Sequence, residues 1–176
     1  MNNYLVLTVI SDDKPGLVET LAQTISVHGG NWLESRMSHL AGKFAGILQV
    51  AIDPERQDAL TQALHALSGR GLTIVVESTR NVAKTTSHAF NFSVVGPDRS
   101  GIVHEIARAF AGRHINMDEL ETDYSSVAGS GEPLFEATGL IEVPEAVNLE
   151  ELHQHLEVIA DELALDIRLE APAQQL

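Results

Sequence analysis

The residues with the most chemical content lie in one eight-residue stretch that occurs twice. Ser11-Asp12-Asp13-Lys14-Pro15-Gly16-Leu17-Val18 returns 85 positions later as Gly96-Pro97-Asp98-Arg99-Ser100-Gly101-Ile102-Val103. Each copy follows an apolar run and opens a stretch with helical spacing, so it reads as a strand-to-helix turn. Asp13 and Asp98 are placed as capping acceptors for the N–H groups at a helix start. Pro15 suits the first helical turn, where its missing N–H costs nothing, and Ser100 takes that place in the second copy. Gly16 and Gly101 fall where the helix begins. A glycine there weakens a helix by about 1 kcal/mol relative to alanine. Its double occurrence predicts that a neighbouring domain or a small ligand approaches the backbone closely. The plain alternative is a cap and turn with no partner. The spacing from Asp13 to Asn31 recurs without a gap from Asp98 to Asn116, which makes turn, helix and following polar residue one duplicated unit.

The elements that must position these residues follow from periodicity. Tyr4 to Ile10 reads as a buried strand, and Leu17, Val18, Leu21, Ala22 and Ile25 form the apolar stripe of a helix closed by His28-Gly29-Gly30. Asn31 to Leu40 is a second strand, joined through the short turn Ala41-Gly42-Lys43 to a third, Phe44 to Ile52. A helix carrying Leu60, Ala63, Leu64 and Leu67 and a strand Leu72 to Glu77 complete the order βαββαβ. The second half repeats it: strand Ala89 to Val95, helix with Ile102, Ile106 and Phe110, strand from Asn116, strand Phe135 to Val143, helix with Leu149, Leu152, Leu156 and Ile159, and strand Leu165 to Leu169. Its hairpin loop, Tyr124 to Pro133, is longer by six residues and is expected to be mobile. The expected divisions are a first domain over 1–79, a linker over 80–87, a second domain over 88–171 and a tail over 172–176.

A βαββαβ unit of this length folds as a four-stranded antiparallel sheet with both helices on one face. The other face is left open. In the first unit it would carry Val6, Thr8, Ile10, Ile47, Gln49 and Val75. In the second it would carry Asn91, Ser93, Glu136, Thr138, Glu142, Asp166 and Arg168. The first is apolar enough to want a cover from another domain or chain, whereas the second suits water or an ionic partner.

Composition narrows the function. The chain has 176 residues, 44% of them apolar, enough for two small cores. With no cysteine, disulfides, thiolate metal sites and a cysteine nucleophile are excluded. No apolar run reaches membrane-spanning length and no export leader is visible, so a cytoplasmic location is expected. The net charge is −14, of which residues 1–80 carry −2 and residues 81–176 carry −12. Without a basic stripe to displace counterions from phosphates, direct nucleic-acid binding is not expected, while a basic protein partner is permitted. His153 and His155 point to different faces of a helix and make a poor metal pair, and no Gly-x-Ser-x-Gly, P-loop or Gly-x-Gly-x-x-Gly occurs. The reading is of a protein without catalytic, metal or cofactor sites.

Two such units, each with Asp-Lys/Arg-Pro/Ser-Gly-Leu/Ile-Val after its first strand and Gly-Gly-Asn or His-Ile-Asn before its second, resemble tandem ACT domains, regulatory modules that sense amino acids. The resemblance covers about residues 3–171 and implies an α+β fold of two ferredoxin-like domains. Among such proteins the chain is most similar to the glycine cleavage repressor group. That similarity implies a transcriptional regulator that contacts a DNA-binding regulator rather than DNA, with a small amino acid such as glycine as effector and a homo-oligomeric state. By position, it implies a ligand site from Asp13, Gly16 and Asn31 of one unit and Asp98, Gly101 and Asn116 of the other, formed where the loop after strand one meets the start of strand two of a neighbouring unit. The alternative is an interaction module that has lost ligand binding and regulates a metabolic enzyme. Between the copies Pro15 becomes Ser100 and Gly30 becomes Ile115, so the two sites need not both be filled.

Overall fold

A computed structural model describes residues 2–79 and 86–172. The expected linker, 80–87, lies outside the described residues except for its last two positions, and so does the tail beyond Pro172. The chain divides into two compact units, 1–82 and 83–176. In the first, β1 (Asn3–Asp12), α1 (Leu17–Val27), β2 (Asn31–Leu40), β3 (Lys43–Ile52), α2 (Gln57–Ala66) and β4 (Thr73–Thr79) follow in order. The second repeats this as β5 (Ser87–Pro97), α3 (Ile102–Ala111), β6 (Asn116–Ser126), β7 (Pro133–Pro144), α4 (Leu149–Leu163) and β8 (Asp166–Glu170). Each sheet has four antiparallel strands, in the orders β2-β3-β1-β4 and β6-β7-β5-β8. The expected fold class is thus the observed one.

Alternation decides which face is dry. Leu5, Leu7 and Val9 of β1 are fully buried against Leu21 and Ile25 of α1 and Leu60 and Leu64 of α2. Phe92 and Val94 of β5 meet Ile106 and Phe110 of α3 and Leu152 and Leu156 of α4 in a separate core. The two cores differ in how they are filled. Where the first unit has Leu7, Ile25 and the cross-strand Leu48, the second has Phe92, Phe110 and the cross-strand Gly139. Two side chains have grown and the third has shrunk to a hydrogen, and the Phe92 and Phe110 rings meet edge to face at 5.5 Å.

Both first helices end as the glycine signal suggested, in one geometry reached by different residues. After α1, Gly29 takes φ +77° and the N–H of Gly30 donates to Ile25 O. After α3, His114 occupies the same place at φ +56°, and the N–H of Ile115 donates to Phe110 O. A side chain in this region costs about 1 kcal/mol that glycine does not. His114→Gly is therefore expected to raise the second unit's melting point by about 4–8 °C, measurable by calorimetry.

The long hairpin departs from expectation. Residues Tyr124, Ser125 and Ser126 pair with Phe135, Leu134 and Pro133, so part of the inserted length extends the strands. The remaining loop, 127–132, is closed by a hydrogen bond from Val127 N to Glu132 O.

Candidate functional site

The bend after β1 is held from below. The N–H of Asp13 donates to Gly42 O at 2.9 Å, and that of Asp98 donates to Pro133 O at 3.0 Å, so each bend rests on the adjoining hairpin. Beside the first, Lys43 forms an ion pair with Asp12 and holds its carboxyl below the usual range.

The expected capping role is corrected here. The residue that caps α1 is Gly16, at φ +89° and ψ 2°, and the one that caps α3 is Gly101, at φ +98° and ψ −5°. Neither helix has a side-chain cap; Asp13 and Asp98 lie three residues upstream of the cap position and remain exposed. Pro15 precedes the cap instead of standing in the first turn. Gly16 and Gly101 are required by their positive φ, and no atom of the chain lies within 4 Å of where a Cβ would be at either, so the space beside both is open. The consequence is chemical. A helix start with no side-chain acceptor keeps N–H groups for an anion, and a carboxylate not used in capping is left for a cation.

A groove of about 700 Å³ runs along the first bend, lined by Lys14, Gly16, Thr20, Gln23 and Arg70 among others. Lys14 and Arg70 add positive charge to the positive end of α1, set against one carboxylate in the lining, Glu19 of the first helical turn, so the balance suits an anion. Arg70 could not have been found from the repeat, because it comes from the turn before β4. A second depression, about 350 Å³, lies on the open face of the second sheet, with Asn91, Ser93, Thr138, Arg168 and Glu170 in its lining. Arg168 is engaged there with Asp166, at 2.6 and 3.2 Å, which holds that carboxyl below its ordinary value.

The asparagines lie elsewhere. Asn31 opens β2 opposite Ala51, while the bend leaves β1 where Asp12 faces Lys43. Those two points are eight residues apart on β3, about 26 Å. Asn116, opposite Glu142 and bonded to Asp118, has the same separation from the second bend, where Pro97 faces Leu134. Each unit therefore brings its own Asp and Gly together and holds its Asn at the far end of the sheet. Next to each asparagine the edge strand bulges, at 32–35 in β2 and at 117–119 in β6. Among the described residues no group of three or more His, Asp or Glu could hold a metal, and no helix is long and apolar enough to cross a membrane.

The order of elements and the two sheets define an α+β fold of two ACT-like, ferredoxin-like domains in tandem. Residues 3–77 match the ACT domain family, and the second unit repeats the topology of the first. Over 98% of this chain and all of the other, the fold is similar to that of an unknown protein from Galdieria sulphuraria, with 26% identity and a TM-score of 0.85. It is also similar, over 97% of both chains, to a candidate glycine cleavage system transcriptional repressor, with 19% identity and a TM-score of 0.72, a likeness of fold. No curated protein matches the sequence significantly.

Proposed function

We propose that this protein is an amino-acid-responsive regulator of the glycine cleavage repressor type, which contacts a DNA-binding regulator and does not itself bind DNA. The observation that carries the reading is the duplicated bend. In both units the helix start is capped by glycine alone while the neighbouring aspartate is left exposed, which supplies complementary groups for the two charged ends of an amino acid. The fold shared with the candidate repressor and the charge of −14 support the same reading. Asn31 and Asn116 each stand far from their own bend, so neither joins the proposed site of its own unit. The protein works in the cytoplasm, with glycine or a similar small amino acid as effector. For regulation the effector must bind the partner-competent and partner-incompetent states with different affinity.

Calorimetric titration of the full chain with the common amino acids tests this. Binding of a small amino acid is expected, weakened about 10-fold or more by Asp13→Ala or Asp98→Ala, the usual effect of removing a hydrogen bond to a charged group. Heat with none of them would leave an interaction module without effector. A tagged chain should also retrieve a DNA-binding regulator in an effector-dependent amount, and retrieval of a metabolic enzyme instead would overturn the transcriptional part.

A further inference from the structure

The first sheet is apolar on both sides. On the face away from the helices, Ile10, Ile47 and Val75 are 48%, 52% and 51% exposed, and they surround Val6, Thr8 and Ala45 in adjoining register rows. An antiparallel sheet with one wet face normally alternates apolar with polar residues, and β1 does not. Most charges around this face are matched within it: Lys43 pairs with Asp12, and Arg36 lies 3.2 Å from Glu34, which leaves Glu77, opposite Val6 at the β4 edge, as a single further carboxylate. The face therefore offers little to a highly charged partner. The open face of the second unit is the opposite in kind, with Glu136, Glu142, Asp166 and Glu170 against one Arg168.

We infer that the open face of the first sheet is a self-association surface, on which the same face of a second copy of this chain packs. Three observations select that occupant. A flat apolar surface needs a flat apolar partner, and among the described residues this sheet face is such a surface, the other exposed apolar side chains being scattered over helices, hairpins and a polar sheet. A face with two ion pairs and one peripheral carboxylate, Glu77, meets its own copy with little repulsion, whereas an acidic surface like that of the second sheet cannot be desolvated against it cheaply. The size also fits. Four strands of about seven paired residues present about 500 Å² per copy, so a face-to-face pair buries about 1,000 Å², the lower limit for specific association. The dimer is accordingly reversible and about micromolar or weaker. This inference does not depend on the effector reading.

Sedimentation of the full chain over a concentration series tests it. The wild type is expected to show a monomer–dimer equilibrium, and Ile47→Lys to raise its dissociation constant about 30-fold or more, as for a residue at the centre of an interface. Ser93→Lys, on the second sheet's open face, is expected to leave the constant unchanged. Because the chain has no cysteine, Thr8→Cys provides a second readout that does not disturb folding: a short bis-maleimide should join two copies through position 8. A wild type that stays monomeric at the highest attainable concentration overturns the inference. So does a dimer with the same constant in Ile47→Lys, or one that Thr8→Cys fails to cross-link.

Discussion

Phe110→Ala is expected to cost the second unit about 3–5 kcal/mol, the range for removing a buried phenylalanine. Phe110 is 1% exposed and meets Phe92 edge to face, so its loss removes both the buried area and the ring contact. The residues that would have to close the hole are the ends of α3 and α4 and the middle of β5, which are fixed by the hydrogen bonds of helix and sheet, so little collapse is available. For a unit of this size the loss corresponds to a fall in melting temperature of more than about 12 °C. The core containing Leu7, Ile25 and Leu48 is separate, so its residues make no part of the cavity. Calorimetry should resolve a lowered transition for residues 87–170, and hydrogen exchange should show protection in β1 and β3 retained. Equal loss of protection in both units would mean that they unfold as one.

Gly139→Ala should be nearly as severe, although it adds a single methyl. A Cβ at this position would lie 2.1 Å from Glu119 O and 2.5 Å from the Phe92 ring, and neither neighbour can retreat. The carbonyl belongs to the bulged edge strand, and the ring is locked under Phe110. Overpacking of this kind costs about 1–3 kcal/mol, with contact to backbone at the upper end. Because Phe92 faces Gly139 where Leu7 faces Leu48, the two positions are coupled. Phe92→Leu combined with Gly139→Ala should be less destabilised than the sum of the single variants, while the Glu119 carbonyl keeps the recovery partial. Denaturant unfolding of the two single variants and the pair would show this, and strict additivity would contradict the size exchange.

Most of the architecture was legible because it is encoded locally. The apolar runs Tyr4–Ile10 and Ala89–Val95, each ended by a turn, and the helical spacing in Leu17–Ile25 and Ile102–Phe110 set the element types. The repeat of 85 residues then fixed the order twice, so one error would have been visible in the other copy. The acidic bias of the second half needed only counting.

The candidate site was legible in part. That Gly16 and Gly101 begin helices came from spacing, but the reason they are glycine did not. Positive φ and close approach leave the same letter in the sequence, and only the backbone geometry shows that positive φ requires both. The same ambiguity hid Gly139, whose glycine is required by packing against Phe92 and Glu119 at ordinary strand geometry. Asp13 and Asp98 were readable as residues near a helix start, whereas their freedom from capping depended on where the first helical turn closed.

By itself, then, the sequence determined that one sheet-and-helix module occurs twice, which face of each strand is dry, and that one half of the chain carries nearly all the net negative charge. Only the tertiary structure decided that each asparagine stands a full strand length from its own bend, that Arg70 joins Lys14 beside α1, and that Phe92, Phe110 and Gly139 exchange volume in the second core. The division has one physical cause. Periodicity is a property of neighbours along the chain, while distances between elements are set by strand register and by the volume that side chains from different strands must share.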